Sequence, residues 1–139
     1  MPKKPKAIVL DSWAIVAYLD DEAASEQVAD LIADANEDGT PLLMSVVSLG
    51  EVWHLIARGT SAAEADRSLT DIQQLGIKTV EADWQLAREA AGLKARYGVS
   101  YTDGFAAALA KQMKAHLATG DPEFAQLEKE IQIIWLKQE

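Results

Sequence analysis

Short apolar runs alternate along this chain with longer stretches in which apolar residues recur every three or four positions. The run at residues 7–10 (Ala-Ile-Val-Leu) predicts a buried strand, and residues 12–19 follow with helical spacing at Trp13, Val16 and Ala17. Residues 22–36 predict a second helix, with Val28, Leu31, Ile32 and Ala35 on one face and Gly39 closing it. After the Gly39-Thr40-Pro41 turn comes a strand at 42–44, then a helix whose face is Val46, Leu49, Trp53 and Ile56 and which ends near Gly59. Ser61 and Glu64 form an S-x-x-E capping box for a helix over 62–75. A strand at 77–80 and an amphipathic helix over 83–97, stopped by Gly98, come next. Ser100 or Thr102 caps an alanine-rich helix over 103–114, followed by a strand at 116–119, a short helix at 122–129 and a last strand at 131–136.

Strands that alternate with helices imply an α/β fold with a central, mainly parallel sheet covered on both faces. Such sheets bind ligands beyond the carboxyl ends of their strands. Asp11 directly follows the first strand and Asp121 closely follows the fourth, so both are expected on that edge. Glu51 falls in the second turn of the helix after strand two, and Asp103 opens the helix before strand four. Side chains on helices lean toward the helix N-terminus, so these two can reach the same edge. Buried carboxylates are costly without partners, and several of them gathered together point to divalent cations. Each also has a purely structural alternative: Asp11 as a helix cap, Asp103 as a first-turn acid, Asp121-Pro122 as a turn and Glu51 as a solvated residue.

Composition narrows the field. A chain of 139 residues fits a single domain over 1–139, which can bury about 68–70% of its unfolded surface without disulfides or structural zinc. With no cysteine and only His54 and His116, thiolate chemistry and Cys- or His-rich metal sites are excluded, in keeping with a reducing compartment. No apolar run approaches the ~20 residues of a membrane span, and the basic start with Lys3, Lys4 and Lys6 leads into a run too short for a signal peptide. The chain reads as soluble and cytoplasmic, its lysine-rich start as a solvated end. The net charge of −9, from 22 acidic and 13 basic residues, runs against nucleic-acid binding through an overall basic surface. The four candidate ligands account for only part of that excess. A basic patch, if formed locally, would draw on Arg58, Arg67, Arg88, Lys94, Arg96, Lys111 and Lys114.

Four blocks carry a resemblance: Val9-Leu10-Asp11-Ser12, Ser48-Leu49-Gly50-Glu51-Val52, the run from Ser100-Tyr101-Thr102-Asp103-Gly104 to Ala110, and Ala118-Thr119-Gly120-Asp121-Pro122-Glu123-Phe124. In this order they resemble PIN-domain ribonucleases, most closely the VapC toxins of bacterial toxin–antitoxin pairs. The resemblance implies a three-layer α/β/α domain that cleaves RNA with Mg²⁺ or Mn²⁺, as a homodimer restrained by a cognate antitoxin. Asp11 and Asp103 are then direct metal ligands, Asp121 completes the cluster or holds a coordinating water, and Glu51 binds metal or positions the attacking water. Ser12 and Thr119 hydrogen-bond the carboxylates and fix their orientation. A bound ion acidifies a water for in-line attack on phosphorus, and a second steadies the leaving oxygen. One departure stands out: the family often has a second hydroxyl after Ser12, where this chain has Trp13.

Trp13 could therefore stack on an RNA base, whereas Trp53, Trp84 and Trp135 lie on apolar faces and are expected in core or dimer packing. His54 is one turn from Glu51, but metal-dependent cleavage needs no imidazole base, so it and His116 read as structural or surface residues. A catalytically idle PIN-like binding module is the main alternative, and the intact acids argue against it. A dehalogenase-type phosphatase would need a second Asp where Trp13 stands, and a receiver domain needs an acidic pair and a late Lys that cannot be placed. Neither G-x-G-x-x-G nor G-x-x-x-x-G-K-[ST] occurs.

Overall fold

Every strand pairing in the computed structural model, which describes residues 4–137, is parallel. The strands are β1 (Ile8–Leu10), β2 (Leu42–Ser45), β3 (Ile77–Val80), β4 (His116–Thr119) and β5 (Gln132–Trp135), in the order β3-β2-β1-β4-β5. The chain winds outward from β1 to β3, then restarts beside β1 and winds the other way. A crevice therefore opens between the ends of β1 and β4, the switch point where such folds bind ligands.

Alternation along the strands splits the core into two layers. Val9, Leu43 and Leu117 face α5 (Trp84–Tyr97), α6 (Tyr101–Met113) and the 3₁₀ helix Pro122–Leu127. Ile8, Leu10, Leu42, Met44 and Ala118 face the other way, onto residues of α1 (Ser12–Leu19), α2 (Ser25–Asp38), α3 (Val46–Gly59) and α4 (Ala62–Gln74). The expected three-layer α/β/α architecture with its parallel sheet is what forms.

Several boundaries differ from the sequence-based expectation. The second helix starts at Ser25 rather than residue 22, because Asp21 adopts a left-handed conformation (φ 52°) and its side chain accepts a hydrogen bond from the Ser25 hydroxyl at 2.9 Å. Ser100, not Thr102, caps α6. Ser61 accepts the Glu64 N–H at 3.1 Å, but Glu64 Oε2 is taken by Arg67 at 2.9 Å instead of closing the capping box. Trp84 is 73% exposed and Trp135 is also exposed, so neither is a core residue. The buried positions of α5 are Leu86, Ala90 and Leu93, and Trp84 sits off that stripe at the first helical position. Trp53 is half-buried and donates to Asp66 at 2.9 Å. Lys3 of the basic start lies outside the described residues.

Candidate metal centre

Asp11 emerges from β1 straight into the N-cap of α1. Its Oδ1 accepts the Ala14 N–H at 2.9 Å and its Oδ2 accepts the Thr119 hydroxyl at 2.5 Å. Capping and clustering are thus combined in one side chain. It is 1% exposed, and burial pushes its pKa up to about 7; the two hydrogen bonds oppose that shift, while Asp121 and Glu51 add to it.

The Thr119 hydroxyl is shared. While donating to Asp11, it accepts the backbone N–H of Asp121 at 3.0 Å. Asp121 in turn caps the 3₁₀ helix, its Oδ1 accepting the Glu123 N–H at 3.0 Å. Ser100 caps α6 through the Asp103 N–H at 3.1 Å, which fixes Asp103 in the first turn. Burial raises the Asp103 pKa to about 7, with further contributions from Asp121, Asp11 and Glu123. On α3, Glu51 accepts the Ser12 hydroxyl.

One carboxylate oxygen from each of Asp103, Asp121 and Glu123 lies within 4.8 Å of the others. These three, with Ser12, Glu51 and Glu22, line a cavity of about 340 Å³ that Trp13, Val16 and Leu55 complete on the apolar side. Asp11 and Thr119 do not line it and connect to it through the Thr119–Asp121 hydrogen bond. His54 is exposed and outside the lining.

Sequence reasoning did not single out Glu123 or Glu22. Glu123 had a usable signal: in Asp121-Pro122-Glu123 the proline sets a tight first turn, which returns the acid two residues on toward the one that caps it. Glu22 had none, since its place on the rim follows from the α1–α2 turn.

The donor set suits a hard divalent cation. It is all oxygen, and among the described residues no lysine, arginine or histidine forms an ion pair with Asp11, Glu51, Asp103, Asp121 or Glu123. The cations proposed for a basic patch are largely engaged elsewhere: Arg67 with Glu64, Arg96 and Lys111 with Glu130, and Lys94 with the Val99 carbonyl.

A doubly wound parallel sheet with an acidic pocket at its switch point defines the class as an α/β/α domain with its candidate site where such folds bind ligands. The PIN domain family model matches residues 8–130, and the chain belongs to that family. Its fold is similar to VapBC2 from Rickettsia felis, solved bound to a promoter DNA fragment (TM-score 0.72, 13% identity, covering 94% of this chain and 99% of that one). It is also similar to VapC20 from Mycobacterium tuberculosis, described as a sarcin-ricin loop cleaving toxin (TM-score 0.70, 17% identity, 87% and 95% covered). A third similar structure is DNA-bound VapBC from Salmonella typhimurium (TM-score 0.67, 16% identity, 92% and 96% covered). No match to a curated protein is found by sequence. Among the described residues, no helix is long and apolar enough to cross a membrane.

Proposed function

We propose that this protein is a Mg²⁺- or Mn²⁺-dependent endoribonuclease that serves as the toxin of a toxin–antitoxin pair. One observation carries the reading: carboxylates of α3, α6 and the turn after β4 line one cavity at the switch point of a PIN fold, the buried Asp11 is tied to it through Thr119, and among the described residues none of them forms an ion pair with a basic side chain. Asp103, Asp121 and Glu123 would hold the ion, with Glu51 lining the same cavity and Asp11 linked to it through Thr119. A divalent ion bound there supplies Lewis acidity at the scissile phosphate and acidifies a water. The chain's own contribution is orientation: Ser12 fixes Glu51, Thr119 fixes Asp11 and the 121 backbone, and Ser100 fixes Asp103.

The antitoxin partner is supported by the likeness to VapBC complexes, and the homodimer is carried over from the family resemblance of the sequence alone. A chain of net charge −9 is expected to hold RNA weakly and with strong salt dependence unless a second copy adds cations. The decisive experiment compares purified wild type with Asp11→Asn and Asp103→Asn on a total-RNA substrate with Mg²⁺, Mn²⁺ or EDTA. Both variants should lose metal-dependent cleavage while keeping the wild-type circular dichroism spectrum. Equal cleavage by all three proteins would sink the catalytic assignment. Expression of the wild-type chain alone should slow growth, and unimpaired growth would remove the toxin role while leaving the nuclease role standing.

A further inference from the structure

Trp13 occupies the position where the sequence departs from its family, and the structure gives that departure a partner. The six-membered ring of its indole lies against Gly120, so closely that a Cβ built at residue 120 would fall within 2.5 Å of Cζ3 and nearer still to two other ring atoms. No real side chain tolerates such contact, so the indole can keep this seat only while residue 120 has no Cβ. Gly120 is buried and immediately precedes Asp121. Trp13 immediately follows Ser12, the donor to Glu51.

The contact joins two segments that line the cavity. Ser12, bonded to Glu51, belongs to α1, and Asp121 and Glu123 belong to the turn after β4; all four line the cavity. The strand side of the contact is anchored, because Thr119 pairs with Trp135 and its carbonyl accepts the Leu136 N–H at 2.9 Å. The ring is the movable partner. A methyl group at residue 120 would therefore push the indole out of its seat rather than displace β4. Trp13 is only half-buried, and its surface forms part of the cavity wall.

We propose that Trp13 and Gly120 form an interlock that positions the 121–123 turn against α1, so that Asp121 and Glu123 are held at the spacing a divalent cation requires. Trp13 is thus a positioning residue. The inference rests on the metal reading of the site, and it adds a residue whose side chain carries no metal-binding atom.

The test is Mn²⁺ binding by isothermal titration calorimetry, with urea unfolding of each variant measured alongside. Trp13→Phe keeps an aromatic ring on α1 but is too short to reach Gly120, and Gly120→Ala displaces the indole while leaving it in the chain. Each should weaken Mn²⁺ binding ~10-fold or more, the range seen when groups that orient ligands are removed, with the Trp13→Phe unfolding midpoint close to wild type. The double variant should bind no more weakly than Trp13→Phe alone, because the methyl at 120 then has room. Unchanged Mn²⁺ affinity in both single variants, or losses that simply multiply in the double variant, would overturn the interlock. Failure of the wild type itself to bind Mn²⁺ would overturn the metal reading and the interlock together.

Discussion

A single hydroxyl, that of Thr119, ties the two halves of the site together. It donates to Asp11 at 2.5 Å and accepts from the Asp121 N–H at 3.0 Å, and it is fully buried. Thr119→Val keeps the shape but leaves a buried carboxyl and a backbone N–H without their partner, at a cost of about 1.5–3 kcal/mol for a bond to a chargeable group. Urea unfolding should register that loss. Mn²⁺ affinity should drop with it, and Thr119→Ser should restore both. A valine variant as stable as wild type would show that water replaces the hydroxyl. Asp11 and Thr119 were legible in sequence because they sit at the carboxyl ends of β1 and β4, where one position determines location. Glu123 was not singled out, because its signal lies in the tight 3₁₀ turn that Asp121 and Pro122 impose rather than at a strand end.

At the scale of elements, two glycines beside site residues respond oppositely to the same change. Gly104 follows Asp103 on α6, and a Cβ there would come 2.8 Å from the Ala90 carbonyl oxygen of α5. Backbone cannot swing aside, so Gly104→Ala must separate the two helices, at about 1–3 kcal/mol, and carry Asp103 with it. Gly50 precedes Glu51 on α3 and has nothing within 4 Å of a built Cβ. Gly50→Ala should stabilise by about 0.5–1 kcal/mol through helix propensity alone. Thermal unfolding of the two variants checks both signs, and a stabilising Gly104→Ala would contradict the close α5–α6 contact. Apolar periodicity located every helix and strand to within a few residues. It could not locate the start of α2, which depends on a left-handed Asp21, nor which helices approach closely enough to demand glycine. Trp84 shows the same limit: a large apolar residue at the start of an amphipathic helix reads as part of its apolar face, but the buried stripe of Leu86, Ala90 and Leu93 passes it by.

For the whole molecule, the sequence implied a parallel sheet and an acidic edge but not the strand order, which arises from long-range pairing and alone brings Asp11 and Asp121 to one crevice. That convergence has a thermodynamic consequence. Asp11 and Asp103 have pKa values of about 7 in the folded chain against an ordinary value of 3.8, so between those limits the folded state binds more protons than the unfolded one. Their contribution to the stability of the metal-free protein is therefore complete below about pH 3.8 and is lost as the pH rises through about 7. Each unit of such a shift corresponds to about 1.36 kcal/mol. Glu130 acts in a different window. Hydrogen bonds from Lys111 and Tyr97 hold it down to about 2, so the stability it contributes is lost only in strong acid and leaves the neutral range unaffected. A divalent cation requires the ionised carboxylates and should reverse the trend. In EDTA the melting temperature should fall between pH 5.5 and pH 8, whereas saturating Mg²⁺ should raise it more at pH 8 than at pH 5.5. At a hundredfold excess over the dissociation constant the gain is about 2.7 kcal/mol, which for a chain of this size is roughly 10 °C. Asp103→Asn should both flatten the pH slope in EDTA and abolish most of the Mg²⁺ response, because it removes a titrating group and a ligand at once. Equal Mg²⁺ shifts at the two pH values would mean that the ion binds away from these acids, and the site would have to be sought elsewhere on the molecule.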